Sequence, residues 1–194
     1  MSDKMNSLTQ RKISRRTALA GFGAGASFVA MPWVARAADD TIRIGFPTPL
    51  TGPYAAEAKD QVKSAELAIK LVNDKGGIGG RKVELLVRDG KLNGGEAATR
   101  TLELIEKDKV HAVVGALSSA VQLAVNEVTR ARGIIYVSIS QSDTINEVKD
   151  FSKFTFHEAL NPHMTTAAVV RHAIKKGNRV AHLVADYAYG HEIL

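Results

Sequence analysis

From Thr41 onward the chain alternates short apolar runs of period two with longer runs of period three to four, and this alternation restricts the fold most. "TIRIGF" sets Ile42, Ile44 and Phe46 on one face of a strand, and the prolines and glycine of "TPLTGPY" then force a loop. Asp60 to Asn73 reads as a helix, with Val62, Ala65, Ile69 and Val72 along one stripe and Gly76 as its stop. "KVELLVRD" is the second strand, Glu96 to Lys107 the second helix, "VHAVVG" the third strand, and Ala120 to Arg132 a helix closed by Gly133. "IIYVSI" is the fourth strand. After a less regular stretch, Thr165 to Lys176 predicts a helix ending at Gly177, and "RVAHLVA" a further strand. Strands joined through single helices are not hairpin neighbours. The expected class is therefore α/β: a mainly parallel, doubly wound sheet with right-handed crossovers.

The net charge of +6 invites a nucleic-acid reading until the charge is located. Lys4, Arg11, Lys12, Arg15, Arg16 and Arg36 stand against Asp3 alone in residues 1–37, so the basic excess belongs to the N-terminus and no nucleic-acid partner is expected. That stretch runs from polar and basic through "ALAGFGAGASFVAMPWV" to "ARA", the order of an export signal cut after Ala37, with Ala35 and Ala37 small enough for a signal peptidase. "SRRTAL" resembles the twin-arginine signal through Arg15 and Arg16, and departs from it at Ala18 and Ala20, so the general secretory route stands as the alternative. The apolar run is shorter than the ~20 residues a membrane span needs. No cysteine is present, so disulfides, thiolate metal sites and lipoprotein attachment are excluded.

In such sheets ligands sit beyond the carboxyl ends of the strands. The loops concerned, 47–54, 89–95, 115–120, 138–144 and 186–190, are stocked with hydroxyls, amides, tyrosines and glycines, which is an inventory for binding. No phosphate-cradling GxxxxGK[ST] occurs, and "GFGAG" lacks a preceding strand. Neither Ser118 nor Ser119 lies in a GxSxG elbow, and serine hydrolysis would need a histidine held by an acid. His157, His163, His172, His182 and His191 fall late in the chain without metal-ligand spacing. No catalytic residue, metal or cofactor is expected.

"TIRIGFPTPLTGPYA", "AIKLVNDKGGIGGRKVELLVRD", "VVGALSSAVQLAV" and "DYAYG", in this order, resemble the type I periplasmic solute-binding proteins of ABC importers, in their branched-chain amino acid and amide branch. The resemblance implies two α/β lobes closing on a ligand. It divides the chain into an export signal (1–37), a first lobe (38–151) and the start of a second (152–194), and implies a fragment of a longer receptor. It also implies that Ser118 and Ser119 hold a ligand α-carboxylate at a helix start, where free N–H groups attract an anion. Ser140 and Ser142 would add carboxylate and ammonium contacts, Tyr54 would flank the ligand side chain, and Tyr187 or Tyr189 would cover it from the other lobe. The implied function is an exported, periplasmic receptor that captures an amino acid or related amide and passes it to a membrane permease, its other partner being the export machinery. A ligand-sensing module of the same fold is the alternative, and a periplasmic serine hydrolase a more distant one.

Overall fold

A computed structural model describes residues 41–147, 149–177 and 179–194. The expected export signal, with Arg15, Arg16, Ala35 and Ala37, lies outside the described residues.

Five strands form one sheet: β1 (Ile42–Thr48), β2 (Val83–Asp89), β3 (Ala112–Gly115), β4 (Ile135–Ser138) and β5 (Thr155–His157). Their spatial order is β2-β1-β3-β4-β5, and every neighbouring pair is parallel. Helices α1 (Ala55–Asp74), α2 (Gly94–Glu106) and α3 (Ser119–Arg132) make the crossovers among the first four strands. α4 (Pro162–Ala173) and α5 (Ala188–Ile193) follow β5. The chain leaves β1 first toward β2 and later returns to β1's other side as β3. The loops after β1 and β3 therefore part in opposite directions, and the crevice between them is where this topology places a ligand.

Local chemistry sets the boundaries. α1 ends where Gly76 and Gly77 take φ of 97° and 78°. At Gly77 a side chain is also excluded by space, since its Cβ would stand 2.0 Å from the Arg81 carbonyl oxygen. Just before that end, Asn73 clamps the start of β2 from both sides, donating to the Val83 carbonyl and accepting from the Val83 N–H, each at 2.8 Å. Asn93 caps α2 by accepting from the Glu96 N–H at 2.9 Å. The half-buried side chains of α1 at Val62, Ala65, Ile69 and Val72 are the stripe read from the sequence. The buried cluster of Leu104, Val110, Val113, Val121, Val125 and Tyr136 packs α2 and α3 against the sheet's centre.

Two expectations need correction. The run Arg179–Ala185 is not a strand: it carries no ladder, and Leu183 is fully exposed. A strand's N–H and C=O groups need a partner strand, and none of the five strands pairs with this run; the place beside β4 is filled by β5, whose three residues are too short to show a period. The helix expected over 165–176 is Pro162–Ala173. Asn161 starts it three residues earlier by accepting from the Met164 N–H at 2.8 Å, with Pro162 in the first turn, where its missing N–H costs no intrahelical bond.

Candidate functional site

The loop after β1 carries Tyr54, and a carboxylate on the neighbouring strand shapes it. Asp89, last residue of β2, accepts from the Leu50 N–H at 3.0 Å, the Thr51 hydroxyl at 2.7 Å and the Lys91 N–H at 2.9 Å. Burial alone would raise the Asp89 pKa, but these hydrogen bonds outweigh it and hold the carboxyl below its usual range. Asp89 is thus an ionised staple between two loops at the crevice.

The loop after β3 turns sharply. Gly115 has φ of 128°, and a Cβ there would lie 3.2 Å from the Phe46 ring and 3.1 Å from the Pro47 carbonyl oxygen. The Ala116 N–H donates to the Tyr136 hydroxyl at 3.1 Å, and Tyr136 is wholly buried, which pushes its phenol well above its ordinary pKa. This neutral anchor positions Leu117 and Ser118 ahead of α3. Ser118 is the N-cap by backbone geometry, φ −113° and ψ 143°, yet its side chain makes no capping bond. Among the described residues no acceptor is provided for the N–H groups of Ser118, Ser119, Ala120 and Val121, whereas the Gln122 N–H is already in the helix ladder to Ser118. These first-turn amides and the helix dipole concentrate positive potential at the crevice.

Two adjoining cavities open there. The larger, about 360 Å³, is lined by Tyr54, Leu92, Leu117, Ser118, Ala120 and Tyr187. The smaller, about 200 Å³, is lined by Leu117, Ser119, Ile139, Ser140, Gln141, Tyr187 and Tyr189. Tyr187 belongs to both, and its ring centroid lies 6.2 Å from that of Tyr189. Burial raises the Tyr187 pKa first, and the neighbouring Tyr54 and Tyr189 phenols add to that. The site is an apolar, aromatic-walled space with amide and hydroxyl donors at one end, suited to a small molecule with one anionic terminus.

The structure thus gathers Tyr54, Ser118 and Tyr187 at one cavity and Ser119, Ser140, Tyr187 and Tyr189 at the other. The hydroxyls differ in freedom. Ser119 donates to the Gln141 carbonyl and Ser140 to the Leu117 carbonyl at 3.2 Å, which ties the loops after β3 and β4 together. Ser142 lines neither cavity and donates to Glu192 at 2.8 Å. Leu92, Leu117, Ala120, Ile139 and Gln141 line the cavities without having been singled out from the sequence. For Leu92 the sequence signal is the glycine-flanked turn "GKLNGG" at the end of β2, in which Lys91 and Leu92 take positive φ, at 51° and 54°.

Among the described residues no histidine is hydrogen-bonded to Ser118 or Ser119. His157 engages the Ser140 carbonyl through Nε2 at 2.7 Å and Asn146 through Nδ1 at 3.0 Å, so neither ring nitrogen is directed to Ser118 or Ser119. Among the described residues no group of three or more His, Cys, Asp or Glu is arranged to hold a metal, and no helix is long and apolar enough to cross a membrane.

Comparison with known proteins adds an independent line. A family model described as periplasmic binding protein matches residues 41–194. A Leu/Ile/Val-binding protein homolog from Brucella melitensis is 36% identical over 114 residues, covering 58% of this chain and 30% of the relative. Among solved structures, the branched-chain amino acid transporter substrate binding protein LivJ of Streptococcus pneumoniae, in complex with isoleucine, is 31% identical with a TM-score of 0.58, covering 63% of this chain and 34% of that one. A periplasmic binding protein from Burkholderia mallei is 25% identical with a TM-score of 0.72, covering 79% and 41%. The chain spans less than a third of the length of the curated relatives it matches.

Proposed function

The chain belongs to the periplasmic binding protein family, and from that premise we propose that the whole protein is an exported receptor for an amino acid or related amide. It delivers this ligand to the membrane permease of an ABC importer, without chemistry of its own. The observation that carries the proposal is the open first turn of α3 facing the tyrosine-walled cavity. In this reading the amides of Ser118, Ser119 and Ala120 receive the ligand carboxylate and the Ser118 hydroxyl, free of any capping bond, adds a donor. Tyr54 and Tyr187 flank the side chain. Ser119 and Ser140 act by bracing the two loops against each other.

The relatives support an aliphatic amino acid, since LivJ was solved with isoleucine. The chain then divides into an export signal over 1–37, a first lobe over 38–151 and the beginning of a second over 152–194. Arg15 and Arg16 direct twin-arginine export, and cleavage after Ala37 releases the mature receptor to the periplasm. Calorimetric titration of the whole protein with isoleucine, leucine, valine and their amides is expected to show saturable binding. Ser118→Ala weakens it about tenfold, the loss of one hydrogen bond to a charged group. Absence of heat with every member of the panel overturns the reading.

A further inference from the structure

Ser142, Asp143 and Thr144 follow β4 and together hold a carboxylate that belongs to the chain itself. The Ser142 hydroxyl donates to Glu192 Oε1 at 2.8 Å, and Thr144 Oγ1 reaches the same oxygen at 3.2 Å. The Asp143 N–H donates to Oε2 at 2.6 Å. Both oxygens of Glu192 are therefore engaged, by hydrogen bonds strengthened by the acceptor's charge. Ser142 is fully buried and lines neither cavity, so these donors face the chain's own carboxylate and not the space for a ligand.

The segment that bears Glu192 also bears the tyrosines. Its backbone-to-backbone hydrogen bonds, the Tyr187 N–H to the Ala185 carbonyl at 3.0 Å and the His191 N–H to the Tyr187 carbonyl at 3.1 Å, stay within it. At its centre Gly190 is buried so closely against Ala185 that a Cβ would stand 1.8 Å from the carbonyl oxygen. Tyr187, Tyr189 and Glu192 are thereby parts of one tight turn. Asp143 has a second attachment: its two carboxylate oxygens accept from the His163 N–H at 3.2 and 3.0 Å, fastening the start of α4. One three-residue stretch in the loop after β4 holds both later helices.

We propose that Glu192 is a positioning residue: clasped by Ser142, Asp143 and Thr144, it holds the Tyr187–Tyr189 pair over the two cavities and so governs how long a ligand stays covered. The clasp stands on its own geometry, and its effect on retention rests on the receptor reading above. Length matters, because Glu192→Asp retracts the carboxylate by one methylene. Glu192→Gln keeps one acceptor for the two hydroxyls but turns an amide group toward the Asp143 N–H or loses a hydroxyl partner.

The test uses amide hydrogen exchange at Asp143 and the nitration rates of Tyr187 and Tyr189, on the ligand-free whole protein and its variants. Glu192→Ala is expected to speed exchange at Asp143 about tenfold and to raise both nitration rates, with the melting temperature little changed. Glu192→Gln falls between the two proteins and supplies the answer if the alanine variant folds poorly. Unchanged Asp143 exchange or unchanged nitration in both variants overturns the clasp. Stopped-flow release of isoleucine then separates the two readings. No isoleucine binding to the unaltered protein counts against the receptor and leaves the Asp143 result standing, whereas equal release rates from the unaltered protein and Glu192→Ala overturn the retention role.

Discussion

Residues 41–157 and 158–194 follow the same strand-and-helix grammar with opposite outcomes. In the first region the sheet's centre and the inner faces of α2 and α3 cover one another: Phe46, Leu104, Val113, Val125 and Tyr136 are all buried, while Leu67 and Leu71 of α1 and Phe156 of β5 stay exposed. In the second, Val169 is 61% exposed, Ile174 58% and Leu183 entirely, and no apolar side chain beyond Ile145 joins the buried core among the described residues. What differs is the neighbours. A helix stripe or an alternating run states which face wants cover, and only a second element supplies it. The second region is fastened by polar contacts, Asp143 to the start of α4 and Glu192 to the loop after β4.

The contrast makes its largest prediction in the core. Leu104 is fully buried, with Cδ1 3.1 Å from where a Cβ on Gly45 would stand. Leu104→Ala is expected to lower the unfolding free energy by about 3 kcal/mol, through lost burial and the cavity left behind, as read by urea denaturation. A cost under 1 kcal/mol would mean that the first region is packed no better than the second.

Matched glycines sharpen the comparison. Gly77→Ala puts a Cβ against the Arg81 carbonyl at a positive φ, inside a turn clamped by Asn73, and is expected to cost about 2 kcal/mol. Gly190→Ala creates an equally severe clash with the Ala185 carbonyl. Here the clash lies within a turn that can open without disturbing the buried core, so unfolding free energy changes by under about 0.5 kcal/mol while the tyrosines become more accessible to nitration. A similar loss of stability in both variants would erase the distinction.

Legibility followed the same line. β1 to β4 and α1 to α3 were readable because each carries a full period of its pattern and a punctuating Gly or Asn, as at Gly76 and Gly133. β5 was not, because Thr155–His157 is too short to show a period, and "RVAHLVA" misled because alternation records a preference for a partner and not its presence. At the site, the serine loop and Tyr54 were readable from their places at strand ends. The commitments of the hydroxyls were not: Ser119 to Gln141 and Ser142 to Glu192 join residues 22 and 50 apart, and such pairings leave no mark on local sequence.

A smaller effect tests the loop that carries Tyr54. The folded Asp89 pKa lies below its ordinary value of 3.8, so the carboxylate's contribution is present in full above that pH and is lost as pH falls through the lowered folded value. Melting temperatures measured from pH 6 to pH 3 should therefore drop more steeply for the unaltered protein than for Asp89→Asn. At pH 6 the variant is expected to be less stable by about 1 kcal/mol, the net worth of a hydrogen bond. Parallel pH profiles would show that Asp89 is not the ionised staple between the first and second loops.

The smallest expected effect bears hardest on the second region. Val169 lies on α4, where Ala168, Val169, His172, Ala173 and Lys176 line an open depression of about 500 Å³. A side chain already in water loses little when its methyls are replaced, so Val169→Ser should change unfolding free energy by no more than about 0.5 kcal/mol. Val125→Ser on α3 removes a fully buried valine and places a hydroxyl among apolar side chains, and it should cost at least about 2 kcal/mol. The pair isolates cover from helix propensity, since both substitutions make the same chemical change within an α-helix. If Val169→Ser proves as costly as Val125→Ser, the α4 face is covered in solution. The contrast between the two regions would then lie in what each packs against, and no longer in whether it packs at all.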